Sequence, residues 1–167
     1  MDPVSAPLPD GARAVVVTAS NRAAAGVYAD RSGQALAAGL RDLGFVVAGP
    51  HVRPDDVEAL AAVLREAVAS GADVVLTTGG TGLTPTDVTP EATRAVLERE
   101  APGIAEAVRR YGEPTVPTAV LSRGLAGTAG RTLIVNLPGS TGGVKDGLAV
   151  LGPLLPHVVS QLRGGDH

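Results

Sequence analysis

The chain has 167 residues, 44% of them hydrophobic, and a formal net charge of −3, enough for one domain that withdraws roughly 70% of its unfolded surface from water. Its 14 basic residues are scattered, so no stripe can neutralise a run of nucleic-acid phosphates, and no apolar run of 18 residues is present to span a membrane. With no cysteine, disulfides, thiolate zinc sites and cysteine nucleophiles are excluded; the histidines at 51, 157 and 167 lack ligand spacing, so any metal must be held by oxygen.

The first ten residues carry three prolines and two aspartates without periodicity, which predicts a flexible arm over residues 1–11 ahead of one domain over 12–163. Met1 to Ala12 lacks the basic start and apolar middle of a signal peptide, so a soluble cytoplasmic protein is expected. Ala14 to Ala19 is a β-branched run apolar on both faces, the pattern of a buried parallel strand. A polar, glycine-containing loop is expected from Ser20 to Arg31. Leu36, Leu40 and Leu43 then repeat at helical spacing, Gly44 stops that helix, and Phe45 to Val52 reads as the second strand.

Pro54 and Asp55 open the next segment, where Val57, Leu60, Ala61, Leu64 and Val68 form one apolar helix face ending near Gly71. Asp73 to Thr78 is a third strand. Thr89-Pro90-Glu91 offers a cap residue, a first-turn proline and a first-turn acid, predicting a helix to about Arg99. A further helix is expected over Gly103 to Tyr111, a short strand over Ala119 to Ser122, and another strand over Thr132 to Asn136. Leu148, Leu151, Leu155, Val159 and Leu162 place one face of the last helical region in the core, with Pro153 and Pro156 dividing it. Alternating strands and helices imply an α/β fold, a mostly parallel sheet covered on both sides, and an aromatic fraction of only 2% favours thin, closely packed helices.

In such sheets ligands lie beyond the carboxyl ends of the strands. The exit loops there are Ser20-Asn21-Arg22, Arg53 to Asp56, Gly79 to Asp87 and Leu137 to Gly143, and parallel strands bring all four to one edge. Thr77-Thr78-Gly79-Gly80-Thr81-Gly82 reads either as a phosphate cradle, in which backbone N–H groups approach an anion without Cβ interference, or as a tight turn that needs positive φ. It matches neither Walker A nor GxGxxG, and Gly139 to Lys145 misses Walker A because Val144 stands at a glycine position. Asp55 and Asp87 can both face the cradle, where two carboxylates with phosphates imply Mg²⁺; each has an alternative, a helix cap for Asp55 (a role open also to Asp56) and a turn for Asp87. Leu137-Pro138-Gly139-Ser140 leads into a helix whose N-terminus suits an anion, with Ser140 also an ordinary cap. Arg22, Arg123 and Lys145 are either phosphate partners or solvated side chains, and Glu106 has a simple solvent-face reading.

The combination TTGGTG-x4-DVTPEAT, preceded by Pro54-Asp55-Asp56 and followed by Ser122-Arg123 and Asn136-Leu137-Pro138-Gly139-Ser140, resembles the molybdopterin adenylyltransferases of the MogA/MoaB family, relatives of the gephyrin N-terminal domain and the plant Cnx G domain. The resemblance covers roughly Ala12 to Leu162 and implies a three-layer α/β/α fold, a homotrimer, and substrates Mg-ATP and molybdopterin, with a molybdenum-insertion protein as a further partner to be considered. It matches the family's essential acids to Asp55 and Asp87, as catalytic residues and metal ligands. The family's ligand pocket maps onto Ser20, Gly79, Gly80, Thr81, Gly82, Asn136, Pro138, Gly139 and Ser140, with Glu106 at an acidic position of the PG-x-x-E segment. One departure is Asn21, where many members have Asp after the serine. The alternative function is a non-catalytic pterin-binding or scaffold module of the same fold, against which the retained Asp55 and Asp87 argue.

Overall fold

The computed structural model describes residues 6–165. The first half runs β1 (Arg13–Ala19), the one-turn helix α1 (Asn21–Ala24), α2 (Arg31–Asp42), β2 (Val46–Arg53), α3 (Val57–Ala69) and β3 (Val74–Thr78). The second half runs α4 (Thr89–Arg94), β4 (Arg99–Glu100), α5 (Pro102–Gly112), a 3-10 turn over Pro117–Leu121, β5 (Ala126–Ala129), β6 (Thr132–Leu137), α6 (Thr141–Leu151) and α7 (Leu155–Leu162). The six strands form one sheet in the order β2-β1-β3-β6-β5-β4. β2, β1, β3 and β6 are mutually parallel, whereas β5 pairs antiparallel with β6, and β4 antiparallel with β5.

Alternation along the strands divides the core into two. Ala14, Val16, Val74, Leu76, Leu133 and Val135 face Leu36 and Leu40 of α2, Val108 of α5, Leu151 of α6 and Val159 of α7. Val15, Val17, Val75 and Ile134 face Leu60 and Leu64 of α3 and Ala92 of α4. Strands apolar on both faces are therefore required, and each fully buried leucine adds about 1.5–3 kcal/mol. Small residues let the layers approach closely: a Cβ on Gly39 of α2 would lie 2.3 Å from Leu148 Cδ1 of α6. Leu8, within the segment expected to be an arm, packs against the first of these clusters, and the Asp10 carbonyl accepts a hydrogen bond from Arg163; residues 1–5 of that segment lie outside the described residues.

Three expectations change. The helix begun at Thr89 ends at Arg94 rather than near Arg99, because Arg99 and Glu100 pair with Thr128 and Gly127. Gly127 permits that approach, since a Cβ there would lie 2.2 Å from the Arg99 carbonyl oxygen. Thr89 is the first helical residue and caps nothing; it is fully buried, and Val88 at the cap position makes no side-chain bond. The short strand expected over Ala119 to Ser122 is the 3-10 turn, and the strand falls instead on Ala126–Ala129, whose small residues carry little local β signal.

At the amino edge of the sheet, Arg163 Nε and Nη2 donate to Asp73 Oδ1 and Oδ2 at 2.9 and 2.8 Å, and Arg13 N donates to Oδ2 at 2.8 Å. Burial acts to raise the Asp73 pKa, but these bonds outweigh it and hold the carboxyl below its usual range. The ionised form is thus favoured by folding, so the contribution is complete above the ordinary carboxylate pKa of about 4 and disappears as pH falls through the lower folded value. Arg163→Ala is expected to cost about 1 kcal/mol at pH 7, a fall in Tm of about 2–4 °C, after discounting for the half-exposed guanidinium. Thermal scans of both proteins at pH 7 and pH 2.5 check this, because the gap should narrow in acid; a gap of the same size at both pH values would rule out the linkage.

Candidate active site

The strands end in register. Thr18 pairs with Thr78, and Thr78 with Leu137, so the chain leaves β1, β3 and β6 at one level of the carboxyl edge. Gly79 and Gly80 follow with φ of +96° and +68°. A Cβ on Gly79 would sit 2.3 Å from the Ala19 carbonyl oxygen, and one on Gly80 would sit 2.3 Å from Thr89 Oγ1 and 3.2 Å from Asp55 Oδ1. Both glycines are therefore demanded by conformation and by space, which is the tight-turn reading of the loop. Gly139, from the loop after β6, lies directly against it: its Cβ would be 3.1 Å from Gly79 Cα.

The two aspartates after β2 separate by role. Asp56 caps α3, accepting from Ala59 N at 2.8 Å, which releases Asp55 from that duty. Asp55 is instead held by a reciprocal pair of bonds with Asn21: its N–H donates to Asn21 Oδ1 at 2.8 Å, and its Oδ2 accepts from Asn21 N at 3.2 Å. Asn21 thus has a structural task that a side-chain carbonyl oxygen performs without charge. Burial pushes the Asp55 pKa up, the Asn21 N–H pulls it down, and the negative charge of Asp87 pushes it up again. Asp87 closes its own turn, Oδ2 accepting from Thr84 N and Oγ1 at 3.1 and 2.8 Å.

Arg123 is neither a free phosphate partner nor a solvated side chain. Its Nε donates to Gly82 O at 2.8 Å, its Nη2 to Asp87 O at 2.7 Å and its Nη1 to Glu91, while its N–H donates to Thr81 O. One guanidinium therefore pins the whole loop between β3 and α4. Asn136 is likewise engaged, donating to Thr77 and Thr93 hydroxyls and accepting from Leu125 N.

Two clefts flank the glycine loop. The first, of about 480 Å³, is bordered by Ser20, Asp55, Gly79, Gly80, Asp87 and Gly139. The second, of about 550 Å³, takes Thr81, Gly82, Asn136, Pro138 and Ser140, together with Lys145 and an apolar wall from α5 and the 3-10 turn. Val144, at the position where Walker A has glycine, is core.

The model of the family described as "Probable molybdopterin binding domain" matches residues 15–157. The chain belongs to this family. It is 36% identical to a molybdenum cofactor biosynthesis bifunctional protein of Chlorobaculum tepidum, over 93% of the chain and 50% of that protein, so it spans about half the length of that relative. It is also 36% identical to a molybdopterin adenylyltransferase of Helicobacter pylori strain J99, over 89% of the chain and 86% of that protein. The solved structure of the molybdopterin biosynthesis Mog protein of Mycobacterium ulcerans superimposes with a TM-score of 0.86 at 48% identity, over 91% of this chain and 99% of that one.

Within this molybdopterin-binding fold the residues matched to the family's pocket and essential acids are gathered at the two clefts, with one exception. Glu106 is exposed on α5 and borders neither, because the inward face of that helix is Ala105, Val108 and Gly112. Arg22 is exposed on α1 and borders neither. Sequence reasoning passed over Thr18, Tyr28 and Asp30, which also line the first cleft. Asp30 caps α2 through Gly33 N at 3.0 Å and accepts from the Thr18 hydroxyl at 2.8 Å. An aspartate three residues before a glycine at a helix start was the available signal.

The first cleft fits a hard divalent cation. Asp55 Oδ1 and Thr89 Oγ1, on the same side of Gly80, are the buried side-chain oxygens without a hydrogen-bond partner among the described residues. The borders hold three carboxylates and several hydroxyls but no histidine or cysteine; Asp30 is taken by Thr18 and the α2 cap, which leaves Asp55 and Asp87 for the one or two carboxylates that Mg²⁺ uses beside phosphates.

Proposed function

We propose that the protein is a molybdopterin adenylyltransferase, which transfers AMP from Mg-ATP to the phosphate of molybdopterin and releases pyrophosphate, in molybdenum cofactor biosynthesis. The observation that carries this reading is Asp55, freed from helix capping, tethered by Asn21 and electrostatically opposed to Asp87 across a glycine cradle. Two carboxylates repelling one another at a phosphate-sized turn form a site that a cation relieves.

In this reading a phosphate oxygen of molybdopterin attacks the α-phosphorus of ATP; the new P–O bond forms as the bond to the β-phosphate oxygen breaks, and that electron pair leaves with pyrophosphate. Asp55 and Asp87 would hold Mg²⁺, which when bound would neutralise charge on the triphosphate. Gly79 and Gly80 bring backbone to the phosphates, and Ser140 and Lys145 at the start of α6 border the neighbouring cleft, where the helix N-terminus favours a second anion. Asn136 and Arg123 keep the loops in place. No protein nucleophile enters the reaction.

The deciding experiment incubates the protein with molybdopterin and Mg-ATP and follows pyrophosphate release together with the adenylylated pterin. Formation of both supports the reading, and pterin binding without either product would instead favour a binding module. The same reading makes the protein a cytoplasmic homotrimer with one site per protomer, for which exposed Val116, Val120 and Leu121 around the 3-10 turn offer apolar surface. Light scattering at micromolar protein is expected to give three times the protomer mass; a monomer alone would contradict it.

A further inference from the structure

The chain is poor in aromatic rings, with one Phe, two Tyr and no Trp. Phe45 is buried in the core and Tyr111 borders neither cleft, which leaves Tyr28 as the one ring at the rim of either. Tyr28 lies in the loop between α1 and α2 and is 51% exposed. Its hydroxyl shares a 2.8 Å hydrogen bond with Ser20 Oγ, and Ser20 is itself fixed as the cap of α1 through Ala23 N. The ring is therefore held at both ends, by backbone and by phenol oxygen, while half of its surface stays in water. A flat, orientated apolar surface beside two carboxylates and a glycine cradle matches a ligand with an anionic end and a flat ring.

We infer that Tyr28 is the stacking wall of the first cleft and takes the flat, nitrogen-rich bicyclic ring of a substrate, whether the purine of the nucleotide or the pteridine of the pterin. The inference rests on the proposed adenylyltransferase reading and adds to it a residue that selects for the ring rather than for the phosphates. The electron-rich phenol and an electron-poor heterocycle attract in offset stacking, a contact that typically changes affinity by about tenfold or more. The Ser20 bond sets the plane of the ring, so the hydroxyl contributes less than the ring does.

Because the chain has no Trp, a Tyr111→Phe background leaves Tyr28 as the sole source of tyrosine emission. Titration with Mg-ATP and, separately, with pterin-6-carboxylate is expected to quench that emission for one of the two, which identifies the source of the ring. By calorimetry Tyr28→Leu should weaken the quenching ligand about tenfold, while Tyr28→Phe stays within about threefold. Inorganic tripolyphosphate, which has no ring, should bind Tyr28→Leu as it binds the parent. Parental affinity of Tyr28→Leu for both ring ligands overturns the inference and leaves the adenylyltransferase reading standing. An equal loss for tripolyphosphate also overturns it, since the cleft rather than the stack would then have changed. Failure of the unmodified protein to bind either ring ligand overturns reading and inference together.

Discussion

Asp87→Asn is expected to lower AMP transfer by about 100-fold or more while molybdopterin affinity changes by less than about threefold. Asparagine keeps the shape and can still accept from Thr84 N and Oγ1, so the turn that Asp87 closes survives. What is lost is a hard anionic oxygen facing Asp55 across the cleft. Asp55→Asn should act alike on transfer, yet its stability effect has a definite sign. Burial leads the causes that raise the Asp55 pKa, so ionisation is easier in the unfolded chain, and the charged group costs stability above the ordinary pKa of about 4 and not below it. The neutral variant should therefore melt no lower than the parent at pH 7, and helix α3 keeps its cap because Asp56 supplies it. Pyrophosphate release under saturating Mg-ATP, pterin binding by calorimetry and thermal scans make the comparison. Near-normal turnover in both variants would remove the proposed cation site, and lost pterin binding would reassign the acids to substrate recognition.

Gly80→Val is expected to weaken ATP and molybdopterin binding by more than about 100-fold, close to abolition, because it offends conformation and space at once. At φ +68° a β-branched residue costs about 1–3 kcal/mol in strain. Its Cβ would also displace Thr89, whose Oγ1 would be 2.3 Å away, and crowd the buried oxygen of Asp55. Far-UV circular dichroism should stay close to native, since of the flanking elements only the short helix α4 begins against this turn, while Tm falls. Gly80→Ala carries the same φ penalty and the same Cβ crowding of Thr89 with less bulk beyond it, so it should lose stability comparably but retain more binding. Parental affinities in Gly80→Val would mean that the loop is only a connection between β3 and α4.

Periodicity made most of the architecture readable in advance. Runs such as Val15-Val16-Val17 and Leu133-Ile134-Val135 are apolar on both faces, and a strand with that pattern has to lie between two layers. Leucines at helical spacing then supplied the layers, and the rule that ligands sit beyond parallel strand ends pointed to the four exit loops. Conformation was legible too where it rests on one residue, as at Gly79 and Gly80. Several choices that sequence left open turn on partners distant along the chain. Asp55 or Asp56 could each cap α3; Asp56 does so through Ala59, and Asp55 is tied to Asn21, 34 residues away. Arg123 could have met phosphate or water, and it is the carbonyls of Gly82 and Asp87 that claim it. β4 and β5 carry so little local preference that their pairing, not their composition, makes them strands. Local pattern determines which residues must be buried, because burial repeats along one element; the role of a polar group depends on which other loop arrives beside it, and that is decided when the sheet brings its edges together.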